Sequence, residues 1–218
     1  MKDSIIILSG GMDSVTMLYQ YKNQIALALT FDYGSNHAPN EIACSRIHCQ
    51  RLGIPQIIIP LDFIHQYFKS SLLEGAEAIP EGYYTSQNMA STVVPFRNGI
   101  MLSIACGIAE SKGLSRVMIA NHGGDHTIYP DCRSEFIQSM SAAMNEGTDT
   151  HVSIYAPYTD ITKSDIARIG KQLGIDYTET WSCYKGGTHH CGKCGTCQER
   201  KEALAEAGII DKTVYLDV

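Results

Sequence analysis

The chain has 218 residues, 44% of them hydrophobic, and a formal net charge of −6 at pH 7. These values predict one folded domain, with or without an appendage, and argue against disorder and against long stretches of nucleic acid as a partner. No apolar run approaches the roughly 20 residues that cross a bilayer, and the short run near the start is unlike a signal peptide. We therefore expect a cytoplasmic protein with no membrane partner.

The first predicted element is a buried strand over residues 5–8, followed by Ser-Gly-Gly-Met-Asp-Ser at 9–14 and a helix. Glycines at this turn let the backbone approach a ligand, and a helix N-terminus attracts anions. The Asp13 carboxylate would repel a bare phosphate but suits a Mg²⁺ ion held between carboxylate and phosphate. The alternative, a serine-capped turn, explains Ser14 but neither the paired glycines nor Asp13.

Two common phosphate loops do not match this segment. It lacks the lysine of the P-loop and the third glycine of the dinucleotide-binding fingerprint. Placed after an N-terminal strand, it resembles the pyrophosphate loop of the N-type ATP pyrophosphatases. That resemblance implies cleavage of ATP to AMP and pyrophosphate, with adenylation of a substrate.

Two further strands are predicted at residues 25–30 and 56–59, with a helix at 40–52 between them. The alternation of strands and helices implies right-handed crossovers and a doubly wound sheet. Phe31, Asp32 and Tyr33 follow the second strand at the edge where ligands bind in open α/β sheets, so they are candidates to frame a nucleotide. Core packing of Phe31 is the alternative.

The helix at 40–52 is expected to bury one face that carries Ile42, Ile47 and Leu52. Residues 70–91 have little apolar periodicity. A loop of this length in a compact domain is usually functional or mobile, so we interpret it as a lid or an interface.

A long predicted helix begins at Arg97, where an arginine opposes the helix dipole. We therefore expect an anionic partner for Arg97, with a surface salt bridge as the alternative. A fourth strand at 117–120 leads into the polar segment 121–133, which we interpret as a substrate-binding loop. The other interpretation, a zinc site or catalytic triad built on His122 and His126, lacks metal-ligand spacing.

A helix at 134–145, a strand at 152–155 and one further helix complete the predicted α/β domain. Thr162 is placed as the N-cap of the last helix and Asp165 as its N3 acid. Lys163 in the first turn opposes the dipole, so we expect a phosphate partner, with a solvated lysine as the alternative.

Four cysteines crowd the C-terminal region with the spacing C-x7-C-x2-C-x2-C. Four thiolates at this spacing converge on one tetrahedral ion and select zinc, and the absence of an open position indicates a structural site. Two disulfides or an iron–sulfur cluster are the alternatives. Gly192 and Gly195 permit the turns between ligands, and a short helix at 199–207 follows. The predicted zinc ligands are Cys183, Cys191, Cys194 and Cys197.

The predicted fold class is α/β, with a doubly wound, mostly parallel five-stranded sheet of the Rossmann-like, PP-loop type. We assign residues 1–178 to this ATP-pyrophosphatase-like domain. Residues 179–218 are predicted to form the zinc-binding segment and a C-terminal helix packed on the domain.

Taken together, the motifs resemble the 7-cyano-7-deazaguanine synthases, the nitrile-forming ligases of the queuosine pathway. The resemblance covers nearly the whole chain in order, and Tyr-Pro-Asp-Cys-Arg at 129–133 combined with the cysteine spacing is its specific part. The other matching motifs are Ser-Gly-Gly-Met-Asp-Ser at 9–14, Phe-Asp-Tyr-Gly at 31–34, Pro-Phe-Arg-Asn at 95–98, Gly-Asp-His at 124–126, Lys163 and Trp-Ser-Cys-Tyr at 181–184. The chain departs from the family at Ser-Asn-His, residues 35–37, and at Phe96, where glycine is common.

The resemblance implies that 7-carboxy-7-deazaguanine, ATP and ammonia give 7-cyano-7-deazaguanine, AMP and pyrophosphate. Adenylation supplies the carboxylate with a leaving group, and ammonia then gives the amide. A second adenylation and loss of AMP give the nitrile. The resemblance also implies an ATP-dependent carbon–nitrogen ligase with structural Zn²⁺, with Mg²⁺ bound alongside ATP, and with a homodimeric assembly.

We hypothesise that the catalytic residues are Asp13, which binds Mg²⁺, and Arg97 and Lys163, which offset charge on the phosphates or the substrate carboxylate. The predicted ATP-binding residues are Leu8, Ser9, Gly10, Gly11, Met12, Asp13, Ser14, Val15, Thr16, Met17, Leu18, Phe31 and Lys163. The predicted substrate-binding residues are Arg97, Asn98, Asp125, Tyr129, Asp131 and Arg133. Among these, Asp125 or Asp131 accepts the N–H groups of the guanine-like edge, and Arg133 orients the ring or binds the carboxylate.

Two other functions stay open. Another adenylating enzyme on this scaffold, a tRNA-thiolating or amidating ligase, would need a basic tRNA-binding surface and a cysteine pair such as Cys106 and Cys132. A zinc-ribbon binding module that uses ATP only as a regulator belongs to a different class.

Overall fold

The central sheet has five parallel strands. They are β1 (Ser4–Ile7), β2 (Ile25–Asp32), β3 (Gln56–Pro60), β4 (Arg116–Met118) and β5 (Ser153–Tyr155). Their order across the sheet is β3-β2-β1-β4-β5, so the predicted doubly wound α/β fold is confirmed. The winding direction reverses between β1 and β4, where ligands bind in this architecture. The structure is a computed structural model that describes residues 2–216.

Helices cover both faces of the sheet. They are α1 (Met12–Gln20), α2 (Ala38–Leu52), α3 (Asp62–Tyr67), α4 (Ser86–Met89), α5 (Arg97–Ser111), α6 (Ser134–Glu146), α7 (Lys163–Gln172) and α8 (Gly195–Glu206). Because side chains alternate along a strand, β1 directs Ile5 to one face and Ile6 to the other. Ile5 packs in one core cluster with Leu102 of α5, whereas Ile6 packs in another with Leu18 of α1 and Ile166 of α7.

Several element ends differ from the sequence expectation. β2 continues to Asp32, so Phe31 lies within the strand and pairs with Ile59. β3 includes Pro60, which an edge strand tolerates because its missing N–H faces no neighbour. α8 begins at Gly195, four positions earlier than expected.

The predicted apolar face of α2 is confirmed at Leu52, which packs against a core cluster, and is wrong at Ile47. Ile47 is 41% exposed, while Ser45, His48 and Cys49 are buried. Hydrogen bonds account for this polar face: the Gln56 side-chain amide donates to Ser45, and His48 contacts the backbone carbonyl of Glu179. The apolar periodicity of α2 is weak, and tertiary hydrogen bonds decide which side packs inward.

Residues 70–91 are anchored to the rest of the fold. Leu72 and Met89 are buried, and the amide of Gly82 donates to the carbonyl of Lys193 at 2.9 Å. Tyr84 reaches the cavity described below. The interpretation of this segment as a lid or an interface stays a prediction.

The C-terminal segment shares the main core of the α/β domain. Trp181, Cys183 and Cys197 belong to the same buried cluster as Ile5 and Val117. α8 packs against α7. The boundary between residues 178 and 179 stays a prediction.

Within residues 2–216, no single helix has the length and apolarity needed to cross a membrane. Among these described residues, one bent pair, Ser86–Thr92 and Arg97–Ser111 at an angle of 53°, meets the length and composition test when its two helices are taken together.

The start of α7 carries the predicted capping box. The Thr162 hydroxyl accepts from the Asp165 amide, and the Asp165 carboxylate accepts from the Thr162 amide, both at 3.1 Å. These contacts satisfy donors that would otherwise lack intrahelical partners. They also place Lys163 at the first helical position.

We expect Thr162→Ala to lower the free energy of unfolding by about 1 kcal/mol, because one cap acceptor is lost. Urea denaturation followed by circular dichroism measures this change. Thr188→Ala, at an exposed site outside any helix, is the matched control and should change stability by less than about 0.5 kcal/mol. Equal effects of the two substitutions would contradict the capping role.

Candidate functional site

The loop between β1 and α1 opens into a cavity at the carboxyl edge of the sheet. Gly11 is the N-cap of α1, so the amides of Met12, Asp13 and Ser14 have no intrahelical acceptor. The hydroxyls of Ser9 and Ser14 lie 3.1 Å apart beside them. Free N–H groups and hydroxyls at the positive end of a helix dipole form an anion-binding site.

Gly10 serves the geometry of this loop and does not line the cavity. Its φ of +91° is in the region that favours glycine. A Cβ there would collide with the carbonyl oxygen of Glu41 on α2. The Gly10 carbonyl accepts from the Trp181 amide at 3.0 Å. Of the two glycines, only Gly11 faces the cavity, so Gly10 makes room for α2 where we expected room for a ligand.

Lys163 lies between two carboxylates in the cavity wall. Its Nζ is 3.2 Å from an Asp13 oxygen and 2.7 Å from a Glu199 oxygen. Burial opposes the charged form of Lys163, but the attraction of Asp13 and Glu199 outweighs it and raises the pKa of the amine. Lys163 is therefore a fixed cation, and the alternative of a solvated lysine is wrong.

His122 is enclosed by three carboxylates. Its Nε2 lies 3.7 Å from Asp13, 3.6 Å from Asp125 and 3.8 Å from Glu199. Its Nδ1 accepts from the Gly124 amide, which assigns the ring proton of the neutral form to Nε2. His122 therefore directs an N–H towards the acids.

One oxygen of Asp13 has no hydrogen-bond partner within residues 2–216, although it is buried. A buried carboxylate oxygen without a donor is costly. The other oxygen faces Lys163 and His122. The unpartnered oxygen is thus available to a cation brought by a ligand.

Arg97 is the second fixed cation of the cavity. Its guanidinium donates to the Tyr33 hydroxyl at 3.0 Å and lies over the Tyr33 ring. No carboxylate within residues 2–216 lies close enough to form a salt bridge with it, so the alternative of a surface salt bridge is wrong. Its charge is free for an anion that enters the cavity.

Some predicted substrate-binding residues reach the cavity and others do not. Asn98, Asp125 and Tyr129 line it, and Asp125 accepts from the Tyr84 hydroxyl at 2.8 Å. Asp131 lies outside the wall and accepts from the backbone amide of Asn98 at 2.8 Å, which caps α5. Arg133 is exposed, and its Nε donates to the backbone carbonyl of His126. Asp131 and Arg133 thus make contacts within the protein, and their roles in substrate binding stay predictions.

Some of the predicted ATP-binding residues line the cavity, and others are buried in the core. Those that line the cavity are Leu8, Ser9, Gly11, Met12, Asp13, Ser14, Phe31 and Lys163. Val15, Thr16, Met17 and Leu18 are fully buried in the core. The Thr16 hydroxyl, for example, is held by the Met12 carbonyl and the Tyr177 hydroxyl, both at 2.8 Å.

Two of the acidic residues that line the cavity were not predicted from the sequence. Glu199 follows the last cysteine of the cluster, at the start of the predicted helix 199–207. Glu41 follows the Phe-Asp-Tyr-Gly motif on α2, and its partner at 3.8 Å is His37. His37 lines the cavity, whereas Phe96, the other departure from the family pattern, does not. Phe96 has a φ of +54°, which explains why glycine suits that position.

Comparisons with known proteins show the family of this chain. Residues 3–208 match the model of the family described as queuosine biosynthesis protein QueC. The chain belongs to the QueC family. It is 64% identical over 214 residues to a 7-cyano-7-deazaguanine synthase of Porphyromonas gingivalis (strain ATCC 33277), covering 98% of this chain and 97% of that protein. A protein of the same name from Desulfotalea psychrophila is 51% identical over 218 residues, covering 99% of this chain and 100% of that protein.

A solved structure supports the fold of this QueC-family chain. NMN synthetase from Francisella tularensis superposes with a TM-score of 0.52 over 97% of this chain and 79% of that chain. The two sequences are 12% identical. The likeness therefore shows the fold and no more.

The QueC-family chain also holds a cluster that can bind a metal ion. The four sulfur atoms of Cys183, Cys191, Cys194 and Cys197 are buried and lie within 4.8 Å of one another. The amides of Cys191 and Cys194 donate to sulfurs of the cluster at 3.3 Å. Such bonds favour thiolates over thiols. Cys194 is the N-cap of α8, and Cys197 lies in its first turn, which explains the early start of that helix.

We expect Cys197→Ser to reduce the metal content of the purified protein by at least half, because one of four ligands is lost. Elemental analysis of metal per chain measures this. Cys106→Ser, at a cysteine of α5 outside the cluster, is the control and should leave the metal content unchanged. A full metal load in Cys197→Ser would contradict the assignment.

Glu41 should make stability depend on pH. Burial raises the pKa of its carboxyl to about 8, from 4.5, while Arg97 opposes the shift. Between these values the folded chain retains a proton that the unfolded chain has lost. Since stability falls with rising pH where the folded state binds more protons, Glu41 destabilises the fold progressively from pH 4.5 to 8.

We therefore expect Glu41→Gln to melt at a higher temperature than the wild type at pH 8 and at nearly the same temperature at pH 5. Thermal unfolding across this pH range tests the expectation. A constant difference between the two proteins at all pH values would show that Glu41 does not titrate in this window.

Proposed function

We propose that this QueC-family protein converts 7-carboxy-7-deazaguanine, ammonia and ATP to 7-cyano-7-deazaguanine, AMP and pyrophosphate in queuosine biosynthesis, as an ATP-dependent carbon–nitrogen ligase. The names of its relatives support the product. The observation that carries the proposal is the free N-terminus of α1 beside the Asp13–Lys163 pair, because adenylation needs an anion site next to fixed charge.

ATP is placed with its phosphates at the loop between β1 and α1. The amides of residues 12–14 and the hydroxyls of Ser9 and Ser14 would bind the phosphate oxygens. Lys163 would offset charge as pyrophosphate leaves. Phe31 lines the same cavity from the end of β2 and is available to the nucleotide.

The residues present fit a Mg²⁺ ion. Asp13 has the unpartnered buried oxygen, and Asp125 and Glu199 lie near the same His122 nitrogen. Carboxylate and phosphate oxygens are the ligands that Mg²⁺ prefers. When bound, the ion would supply positive charge to the polyphosphate, with Asp13 as its protein ligand.

The substrate carboxylate is placed at Arg97, whose charge has no acidic partner among residues 2–216. A carboxylate reacts poorly with ammonia because its oxygen is a poor leaving group. Transfer of AMP to that oxygen supplies a good leaving group. The amide oxygen must be adenylated in the same way before it can leave. The chain positions the reactants for both rounds and stabilises the charge that develops.

The four cysteines are assigned to a structural Zn²⁺ ion. Zinc–sulfur bonds of about 2.3 Å at tetrahedral angles separate sulfurs by about 3.8 Å, and the sulfurs of Cys191 and Cys197 lie 4.0 Å apart. All four ligands come from the protein. The ion would therefore hold the C-terminal segment in place and take no part in the reaction.

The environment of the two candidate cysteines argues against a tRNA-thiolating function. Cys106 and Cys132 are both buried. Burial raises the pKa of the Cys132 thiol well above its usual range, with Asp125 and Asp131 adding to the shift, and a thiol in this state is a poor nucleophile. The discriminating assay supplies ATP, ammonia and the deazaguanine acid. Nitrile with AMP supports the ligase, and release of ADP and orthophosphate would exclude it.

We expect Asp13→Asn to lower AMP formation by at least about 1,000-fold with the fold intact, because the carboxylate that binds the cation is lost. Chromatographic measurement of AMP tests this, and circular dichroism checks the fold. Asp149→Asn, at an exposed aspartate, is the control with unchanged activity. Near-normal AMP release from folded Asp13→Asn would refute the role of Asp13.

A further inference from the structure

Glu41 is a carboxylate of the cavity wall to which the proposed reaction has so far assigned no role. It lies on α2, and its side chain is 18% exposed. Within residues 2–216, no donor forms a hydrogen bond with either of its oxygens. Burying a carboxylate without donors is costly, so its oxygens are free to accept hydrogen bonds from a molecule in the cavity.

Groups from three elements face Glu41. His37 precedes α2 as its N-cap, Cys44 lies in α2, Tyr33 follows β2, and Arg97 begins α5. Burial lowers the pKa of His37 to about 4, with Arg97 adding to the shift, so His37 is neutral near pH 7. Burial likewise raises the pKa of Cys44 to about 11. Arg97 is thus the fixed charge in this part of the cavity, and Glu41, with a pKa raised to about 8, is the group that gains or loses a proton close to neutral pH.

We propose that Glu41 binds ammonium and accepts its proton when the amide is formed, while Arg97 holds the substrate carboxylate. This assignment rests on the proposed function. The two side chains complement the two reactants: the ionised form of Glu41 attracts a cationic nitrogen source, and the Arg97 guanidinium attracts an anionic acid. Glu41 is then a catalytic residue that contacts the reacting nitrogen.

The step balances as follows. One N–H bond of ammonium breaks, and its proton moves to the Glu41 carboxylate. The freed lone pair forms the C–N bond to the adenylated carbon. The C–O bond to AMP breaks, its electron pair leaves with AMP, and a second nitrogen-bound proton passes to water. No oxidant or further co-reactant is required.

Two properties of Glu41 suit this step. Its raised pKa, about 8, makes the ionised carboxylate a stronger base than an exposed glutamate and still leaves a fraction of the carboxyl ionised at neutral pH. Its backbone carbonyl packs directly on Gly10 of the phosphate loop, so α2 holds a fixed position relative to the site of adenylation. A side chain that must meet the acyl carbon needs this fixed position.

The test compares wild type, Glu41→Gln and Glu202→Gln, a control on the exposed side of α8. Glu41→Gln keeps the shape of the side chain and removes the charge and the proton acceptor. We expect kcat/KM for ammonium to fall at least about 100-fold in Glu41→Gln, and to stay unchanged in Glu202→Gln. Acid-dependent exchange of pyrophosphate into ATP without ammonium should remain within about threefold of wild type.

Two further measurements separate proton transfer from a structural effect. The Glu41→Gln defect should shrink as the pH is raised and free ammonia replaces ammonium. Hydroxylamine, which is already a free base at neutral pH, should react with Glu41→Gln nearly as fast as with wild type and give the hydroxamate. A defect that is equal for both nucleophiles and at every pH would overturn the assignment of Glu41.

The outcomes also distinguish this assignment from the proposed function. If wild type shows no acid-dependent pyrophosphate exchange, the proposed function fails. If wild type forms nitrile and Glu41→Gln matches it with ammonium, the function stands and Glu41 is not the ammonium site. Loss of exchange in a folded Glu41→Gln protein would show that Glu41 acts in adenylation, which also overturns the assignment.

Discussion

The buried ammonium group of Lys163 connects parts of the chain that are far apart in sequence. It is paired with Asp13 from α1 and Glu199 from α8, and it stands at the start of α7. A buried charge that loses its partner is strongly destabilising, so these three helices must keep their relative positions at the carboxyl edge of the sheet. The anion site of the first loop therefore depends on a helix near the end of the chain.

The cysteine cluster determines where that helix lies. Cys194 and Cys197 are its N-cap and first-turn residues, and Glu199 follows only half a turn later. An ion held by these thiolates would fix the direction of α8 and, with it, the carboxylate beside Lys163. The Trp181 amide, bonded to the Gly10 carbonyl, attaches the same segment to the phosphate loop. A metal ion bound by this cluster would in this way control the geometry of the cavity from outside it.

Much of this architecture could be predicted because it depends on local patterns. The buried strand, the glycine turn and the helix start at residues 4–14 are determined by neighbouring residues, and the cysteine spacing is a local signal too. The orientation of α2 and the position of Glu41 depend on contacts between residues that are far apart in the sequence. The spacing of apolar residues along one helix does not predict such contacts. Asp131 is a second example. The sequence identified the polar segment that contains it, but only the folded structure shows that its carboxylate caps α5.

The balance of charge in the cavity constrains how ATP can bind. The lining carries four carboxylates, those of Asp13, Glu41, Asp125 and Glu199, against the two cations Arg97 and Lys163. Even with Glu41 protonated, the acids outnumber the cations, so a bare polyphosphate would be repelled. A divalent cation entering with the nucleotide would reverse this balance at Asp13, where a buried oxygen has no other partner among residues 2–216. Nucleotide affinity should therefore depend on the cation far more than in a loop that supplies its own lysine to the phosphates.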